Sequence, residues 1–279
     1  MNTITFDLAA KVVRPRPAIS HKGTFGRVFI IGGAPQYGGA AILSASAAVY
    51  AGAGLVTVAL AAAHHAALRT RLPEAMAITW TDEPAFSDAL RAADVIVIGP
   101  GLGVDAAALA VLRQTLAAVN AQQTLIIDGS AITLCASHHL TPAHSNVVWT
   151  PHQMEWQRLS GLAIANQTPA ANQAAAAALP GTVIVKQHRT EVFTPTAAFV
   201  NPIGGPELAT GGSGDTLTGI LAAFIGQFHA NAETICAAVY THSAVAAAIA
   251  ETQYVALPTA VIAALPGYMR QLADQTVGD

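Results

Sequence analysis

Short apolar runs rich in β-branched residues alternate along this chain with longer, alanine-rich segments. In the longer segments the apolar residues recur every three or four positions, which predicts helices, whereas the short runs predict buried strands. The predicted strands are 27–31, 55–59, 95–98, 124–127, 147–149, 183–186, 191–193 and 198–200, the last two forming a hairpin. The predicted helices are 39–51, 62–71, 86–92, 106–120, 153–160, 169–179, 215–228, 232–253 and 258–273.

This alternation of strands and helices predicts an α/β fold with a doubly wound, mostly parallel central sheet and helices on both of its faces. A chain of 279 residues suits a single large domain of this type, and we expect residues 1–21 to form an N-terminal arm. In such sheets ligands bind beyond the carboxyl ends of the strands. Functional residues are therefore expected directly after the predicted strands.

Charged residues make up only 10% of the chain, and none occurs between Val28 and Leu68. Glycines and prolines divide that stretch into pieces too short to cross a bilayer, so we expect no membrane span. A net charge of −3 gives no reason to expect a nucleic-acid partner. The low charge favours a homo-oligomer, a tetramer being one candidate. The lack of an apolar leader and the wide separation of Cys135 and Cys236 favour the cytoplasm.

Five predicted strands are each followed by a polar or glycine-rich segment. These segments are 32–40, 99–103, 128–129, 150–155 and 186–190. Carboxyl ends of parallel strands meet at one edge of a sheet, so the five segments predict a long active-site rim.

The segment 204–220 carries the most specific chemistry. Gly211, Gly212 and Gly214 form a turn in which backbone N–H groups can converge, and Asp215 stands where a helix begins. A glycine turn at a helix N-terminus is an anion site. A carboxylate there either has a chemical task or serves only as the helix N-cap, and the loop alone does not decide between the two.

The other rim residues also have two interpretations each. The first glycine turn either approaches a ligand or is only a structural turn. Asp128 either holds a metal-bound water or binds turn amides, and Lys186 either meets a phosphate or reaches solvent. We favour a hydrogen-bonding role for His152, with Glu155 as a helix cap or a holder of water around a cation. The pairs His64–His65 and His138–His139 lack ligand spacing and are read as surface residues.

Together these motifs resemble the ADP- or ATP-dependent NAD(P)H-hydrate dehydratases, a branch of the ribokinase-like superfamily. The matching pieces are KGTFGRVFIIGGAPQYGGA with AGAG at 22–54, GPGLG at 99–103, TPHQME at 150–155, the strand ending at Lys186, and ATGGSGDTLTGI at 209–220. The resemblance implies repair of hydrated NADH and NADPH, with removal of water at the expense of ADP or ATP and with Mg²⁺ as cofactor. It favours ADP as the donor.

The resemblance also implies roles for individual residues. Asp215 is the implied catalytic residue, and the implied hydrate-binding residues are Ala40, Gly103, His152 and Asp215. The implied nucleotide-binding residues are Lys186, Gln187, His188, Arg189, Thr190, Gly211, Gly212 and Gly214. No direct metal ligand is implied, although Glu155 and Asp128 are candidates for contact through water.

The chain departs from the family pattern at two positions. Gln187 stands where the family often has glycine, which leaves the nucleotide loop less certain, and Gly129 replaces another small residue. About 20 residues precede Lys22, too few for the family's N-terminal epimerase domain, so we expect a stand-alone dehydratase.

Two rival functions fit the same loop. A ribokinase-like kinase acting on a vitamin-precursor alcohol, of the hydroxyethylthiazole or hydroxymethylpyrimidine type, would use the same Gly-Ser-Gly-Asp segment. A non-catalytic nucleotide sensor would bind nucleotide without turnover, although the presence of Asp215 and Lys186 argues against it. The combination of GGAPQYGGA and TPHQME resembles the dehydratases more closely than the kinases.

Overall fold

A computed structural model describes residues 1–275 of the chain. Ten strands lie within these residues: β1 (Asn2–Thr3), β2 (Arg27–Ile31), β3 (Leu55–Ala59), β4 (Met76–Ile78), β5 (Val95–Ile98), β6 (Thr124–Ile127), β7 (Val147–Trp149), β8 (Thr182–Val185), β9 (Glu191–Phe193) and β10 (Ala198–Val200). The helices are α1 (Phe6–Val12), α2 (Gly38–Tyr50), α3 (His65–Arg71), α4 (Glu83–Ala92), α5 (Ala106–Ala118), α6 (Gly129–His138), α7 (Gln153–Ser160), α8 (Pro169–Ala176), α9 (Ser213–Phe228), α10 (Ala232–Ala250) and α11 (Pro258–Gln275).

The ten strands form one sheet in the order β1-β10-β9-β8-β7-β6-β5-β2-β3-β4. Strand β9 runs antiparallel to both of its neighbours, and every other neighbouring pair is parallel. The predicted mostly parallel sheet is confirmed. Strands β8, β7, β6, β5 and β2 are consecutive neighbours, so the segments that follow them lie side by side.

Both faces of the sheet are covered, which explains why its central strands consist mostly of apolar residues. Val28 and Ile30 of β2 face a core that includes residues of α1, α2, α9, α10 and α11. Phe29 and Ile31 of the same strand face a second core that includes residues of α4 to α8. The alternation within a single strand therefore places helices on both sides, as the sequence predicts.

Four elements lie outside the predicted set. Strand β4 is short and lies at the sheet edge, and helix α6 begins directly after Asp128 in a segment that the sequence pattern reads as a turn. Within the expected N-terminal arm, β1 pairs with β10 and α1 packs against α10 and α11. Ile4 and Ala9 are fully buried, so residues 2–12 belong to the sheet and its helical layer.

Helix α10 is long and apolar enough to cross a membrane by length and composition. It packs against α1, α9 and α11, and 61% of its most apolar window is buried inside the molecule. No other helix among the described residues has both the length and the hydropathy of a span. The composition of α10 is that of a helix in the core.

Helices α2 and α9 cross at very close range, and this contact positions the beginning of α9. A Cβ atom built on Gly219 would lie 2.1 Å from the carbonyl oxygen of Ser44. Beside this crossing, the hydroxyl groups of Ser44 and Thr218 form a buried hydrogen bond of 3.2 Å. Any side chain at position 219 must therefore push the two helices apart.

We expect Gly219→Ala to lower the free energy of unfolding by about 3 kcal/mol, because overpacking a rigid backbone contact cannot be relieved by rotamer changes. Urea unfolding followed by circular dichroism measures this change. Gly267→Ala is the matched control, since Gly267 is exposed in α11 and nothing lies within 4 Å of its added Cβ. That variant should be as stable as the parent or about 1 kcal/mol more stable. If Gly219→Ala and Gly267→Ala were equally stable, the close contact between α2 and α9 at Gly219 would be contradicted.

Candidate active site

Two glycine loops, which follow β2 and β5, are joined through their backbones at the carboxyl edge of the sheet. The N–H of Gly33 donates to the carbonyl of Pro100 (2.9 Å), and the N–H of Ala34 donates to the carbonyl of Gly101 (2.7 Å). The side chain of Ala40 lies against this second loop, near Gly101. The predicted substrate residue Ala40 is thereby fixed beside the 99–103 loop.

The second loop is also linked to the segment after β6. The N–H of Gly103 donates to the hydroxyl of Ser130, over 3.2 Å. Ser130 belongs to the first turn of α6, two residues after Asp128. The loop that contains Gly103 is therefore adjacent to the charged part of the site.

His64 supports the first glycine loop, a role that the sequence analysis missed. Its Nε2 lies 3.1 Å from the carbonyl oxygen of Ala34 and 3.0 Å from that of Pro35. The prediction of a surface histidine is wrong, because the ring is half-buried against Gly38. Its position shortly after β3 was the available signal, since it places His64 at the same edge of the sheet.

Asp128 and Lys186 form a buried ion pair at the centre of the edge. The ammonium group of Lys186 donates to Oδ1 of Asp128 over 2.6 Å, and the hydroxyl of Thr150 donates to the same oxygen over 2.7 Å. Only 4% of the Asp128 side chain and 17% of the Lys186 side chain are exposed. The pair connects the ends of β6 and β8 across β7.

The charge of Lys186 is maintained by its surroundings. Burial alone would lower the pKa of the ammonium group, but the carboxylates of Asp128, Glu155 and Asp215 outweigh that effect and raise the pKa above its usual value. An ammonium group surrounded by carboxylates stays protonated. Lys186 is thus a permanent cation available to an anionic ligand.

His152 and Glu155 cap helix α7 reciprocally. Nδ1 of His152 accepts from the N–H groups of Met154 (3.1 Å) and Glu155 (3.3 Å), while Oε2 of Glu155 accepts from the N–H of His152 (2.8 Å). Because Nδ1 accepts, the ring proton lies on Nε2 in the neutral form. Nε2 lies 3.4 Å from Oε1 of Glu155 and about half of the side chain is exposed at the rim, so Nε2 can donate to Glu155 or to a ligand. Burial raises the pKa of Glu155 despite the opposing charge of Lys186.

Asp215 is not the N-cap of helix α9. The cap is Gly212, which has a φ of 94°, and Asp215 lies three residues later in the first turn. Within residues 1–275 no group donates a hydrogen bond to its carboxylate. Burial, together with the charges of Asp128 and Glu155, raises the pKa of Asp215 to about 6, although Lys186 opposes the rise. A carboxylate in this state is suited to accept a proton near neutral pH.

The start of α9 brings two positive features together. A Cβ atom on Gly214 would lie 3.1 Å from Nζ of Lys186, so the ammonium group sits over the first turn of the helix. The N-terminus of a helix carries a partial positive charge and unpaired N–H groups. Lys186 and the turn at Gly214 therefore form one anion-binding region next to Asp215.

The predicted nucleotide loop 186–190 is joined to the segment that contains the predicted substrate residue His152. The N–H of Lys186 donates to the carbonyl of Pro151 (2.8 Å), and Lys186 forms an isolated parallel bridge with His152. The side-chain oxygen of Gln187 accepts from Nε2 of Gln153 (3.4 Å). The extra side chain at position 187 is thus directed toward α7.

A cavity of about 590 Å³ lies beside these groups. Its lining includes the predicted site residues His152, Lys186, Gln187, His188, Thr190 and Gly214. It also includes residues that the sequence analysis did not select: Ile203, Gly204, Gly205, Pro206, Leu208, Ala209, Ser213, Leu217, His242 and Ser243. The predicted residues Ala40, Gly103, Arg189, Gly211, Gly212 and Asp215 lie outside this lining. The assigned roles of all these residues stay predictions.

The charged groups do not form a site that would hold a metal ion by protein side chains alone. They fit better a metal ion that binds together with a phosphate ligand. Among residues 1–275 no group of three or more His, Cys, Asp or Glu side chains is placed to hold a metal ion. Asp128 is engaged by Lys186, and Glu155 is engaged in capping. Mg²⁺ in phosphate-transferring sites commonly takes one or two carboxylates plus phosphate oxygens and water, which this donor set can supply.

The sheet order and the anion site at its carboxyl edge define a ribokinase-like α/β protein. The structure superposes on a ribokinase-like superfamily protein from Enterococcus faecalis with a TM-score of 0.96 and 47% identity, covering 98% of this chain and 96% of that one. The family model described as NAD(P)H-hydrate dehydratase matches residues 28–266. The chain belongs to the NAD(P)H-hydrate dehydratase family.

Curated relatives agree with this assignment. A protein of Lactiplantibacillus plantarum named ADP-dependent (S)-NAD(P)H-hydrate dehydratase is 47% identical over 98% of this chain and 99% of its own length. The Bacillus subtilis ADP/ATP-dependent NAD(P)H-hydrate dehydratase, co-crystallised with ATP and Mg²⁺, superposes with a TM-score of 0.83 at 25% identity, covering 97% of this chain and 98% of that one. The family predicted from the motifs is confirmed.

The raised pKa of Asp215 has a consequence for stability. Between the usual pKa of an aspartate and about 6, the folded state binds more protons at this site than the unfolded state does, so stability falls as the pH rises through that window. We expect Asp215→Asn to raise the free energy of unfolding by about 2 kcal/mol at about pH 8. The gain should largely disappear at about pH 4, where the aspartate is protonated in the folded state.

Urea unfolding at the two pH values measures this gain. Asp105→Asn is the control, because Asp105 is an exposed N-cap of α5 and asparagine caps equally well. This variant should be no more stable than the parent at either pH. If the Asp215→Asn variant is only as stable as the parent at the higher pH, the charged carboxylate of Asp215 does not destabilise the folded state.

Proposed function

We propose that this protein is an ADP-dependent (S)-NAD(P)H-hydrate dehydratase, a carbon–oxygen lyase that returns hydrated NADH or NADPH to the intact dinucleotide. The observation that carries the proposal is the unpartnered carboxylate of Asp215 in the first turn of α9, next to the ammonium group of Lys186. Curated relatives that are 39–47% identical over nearly their whole length bear the same activity in their names.

The anion-binding region would receive the phosphates of the nucleotide. Lys186 supplies a buried positive charge, and the unpaired N–H groups of the turn at Gly211, Gly212 and Gly214 supply hydrogen-bond donors. The loop from Lys186 to Thr190 lies along the same cavity. Donors fixed before the reaction stabilise charge that develops on a transferred phosphoryl group.

The hydrate would bind on the other side of Asp215, against the two glycine loops. Ala40 and Gly103 lie on loops that are fixed to each other and to Ser130. His152 offers Nε2 as a donor at the rim. In this arrangement Asp215 lies between the hydroxyl of the hydrated ring and the phosphates of ADP.

Water is a poor leaving group, and phosphorylation converts it into a good one. Asp215 would accept the proton of the substrate hydroxyl as the oxygen forms a bond to the terminal phosphorus and the bond to AMP breaks. The lone pair of the ring nitrogen then expels phosphate, and loss of a proton from the adjacent carbon restores the dihydronicotinamide. The products are NAD(P)H, AMP and phosphate.

Mg²⁺ would be held chiefly by the nucleotide's own phosphate oxygens, with Asp215, Asp128 and Glu155 as candidates for contact through water. When bound, the ion offsets the repulsion between the phosphates and the carboxylates. A B. subtilis relative was co-crystallised with ATP and Mg²⁺, which supports this assignment.

The rival kinase function has only fold-level support. A hydroxyethylthiazole kinase from Pyrococcus horikoshii superposes with a TM-score of 0.60 at 16% identity, which reflects the shared architecture. The curated relatives and the family model support the dehydratase instead.

Incubation of the protein with (S)-NADH hydrate, Mg²⁺ and either ADP or ATP tests the function and its donor. We expect the near-ultraviolet absorbance of NADH to return with ADP, accompanied by stoichiometric AMP and phosphate. Recovery with ATP alone would overturn the choice of donor. No recovery with either nucleotide, together with phosphorylation of a vitamin-precursor alcohol, would establish the kinase instead.

The variant Asp215→Asn tests the catalytic role of Asp215 in the same assay. Removal of a general base should lower turnover by about 10²-fold or more. ADP binding, measured by calorimetry, should be largely retained because the anion-binding groups are unchanged. Near-normal turnover of this variant would remove Asp215 from the mechanism.

We also propose that the protein works as a homo-oligomer in the cytoplasm. The low content of charged residues and the large exposed apolar side chains of Ile19 and Tyr254 support subunit contacts. Cys135 and Cys236 are both free and buried, which suits a reducing compartment. Sedimentation velocity should give a mass that is a multiple of that of one chain, with a tetramer as one candidate. A single species of monomer mass would contradict the assembly.

A further inference from the structure

Helix α10 presents polar side chains to the cavity that neither the motifs nor the proposed mechanism uses. His242 and Ser243 both line it, although only 6% and 5% of these residues are exposed. Nε2 of His242 is buried and has no hydrogen-bond partner within the described chain. A buried polar atom without a partner costs about 1–3 kcal/mol, so such atoms are rare unless a ligand or water completes them.

Ser243 is held in a defined orientation by a residue behind the cavity wall. Nδ2 of the fully buried Asn201 donates to the hydroxyl oxygen of Ser243 over 2.9 Å. Because the oxygen accepts this bond, the hydroxyl hydrogen of Ser243 remains available as a donor, and no acceptor for it occurs among residues 1–275. Asn201 therefore positions Ser243 toward a group that enters the cavity.

These two residues share the wall of the cavity with an apolar segment of the chain. The hydroxyl oxygen of Ser243 lies 3.6 Å from a Cβ atom built on Gly204, in the segment that leads to the short 3₁₀ turn Pro206–Leu208. This turn packs against α10. The part of the cavity wall that this segment forms includes the apolar residues Ile203, Pro206 and Leu208. The anion-binding groups, Lys186 and Gly214, also belong to the lining of this cavity.

We propose that His242 and Ser243 bind the nucleoside part of the nucleotide co-substrate, and that Asn201 positions Ser243 for this contact. The inference rests on the proposed function only in taking the cavity as a nucleotide site. The apolar residues would cover the faces of the base, while Nε2 of His242 and the hydroxyl of Ser243 would form hydrogen bonds with polar atoms of the base or ribose.

The chemistry of His242 favours the nucleoside over the phosphates. Burial, with a contribution from the charge of Lys186, lowers the pKa of His242 to about 4. The imidazole is therefore neutral at neutral pH and offers a directional hydrogen bond without charge. A neutral base or a ribose hydroxyl requires such a group, whereas a phosphate is better served by Lys186.

Calorimetric titration of the variants with ADP and with AMP tests this assignment. His242→Phe keeps a ring of similar size but loses both nitrogen atoms, and it should weaken ADP binding about tenfold, the scale of one lost hydrogen bond to a buried group. AMP binding should weaken by the same factor, since both ligands carry the same nucleoside. His242→Gln, which can place an amide near the former Nε2, should recover part of the loss.

Three further results decide the assignment. Ser243→Ala should also weaken ADP and AMP equally, and it serves if His242→Phe fails to fold. His144→Phe is the matched control, because His144 also has a buried ring nitrogen without a partner but lies outside the cavity lining; it should bind ADP normally. Normal ADP binding by His242→Phe, or a loss with ADP but not with AMP, would overturn the assignment.

Failure of this inference is distinguishable from failure of the proposed function, because the titrations need no turnover. Wild-type protein that binds ADP but does not restore NADH would refute the dehydratase activity and leave the role of His242 standing. Wild-type protein that binds neither nucleotide would refute both.

Discussion

The buried ion pair of Asp128 and Lys186 is the interaction on which the rest of the site depends. If either partner were removed, the other would be an unpaired charge in the interior. The free-energy cost of such a charge is far larger than the net stabilisation that a buried ion pair provides. The pair links the ends of β6 and β8, and it holds the ammonium group over the first turn of α9. The field of that single cation then reaches Glu155, Asp215 and His242, so their protonation states are set together.

The two halves of the site are joined by backbone as well as by charge. His152, a predicted substrate residue, and Lys186, a predicted nucleotide residue, form a parallel bridge beyond the ends of β7 and β8. A third link runs from Gln187 to Gln153. Because a backbone bridge cannot rotate as a side chain can, the separation between these two segments is fixed by the sheet itself. Transfer between two bound molecules benefits from such a fixed separation.

The sequence predicted what depends on local pattern. Strands β2, β3, β5, β6 and β7 consist mostly of apolar residues, and the segments after four of them contain predicted rim residues, so both could be read directly. Three features could not be predicted from the sequence. They are the pairing of Asp128 with Lys186, the support of Ala34 by His64 and the place of His242 in the cavity wall. Each joins residues far apart in sequence, and nothing in the local pattern of one partner identifies the other.

The position of β1 also imposes an order on folding. Asn2 pairs with Phe199, and α1 packs against α10 and α11, so these residues are synthesised well before their native neighbours. Contacts so distant in sequence slow folding, because the long loop between them must close first. Until β10, α10 and α11 are made, the apolar residues Ile4 and Ala9 lack these native neighbours, and the newly made chain can expose them to chaperones or to other chains.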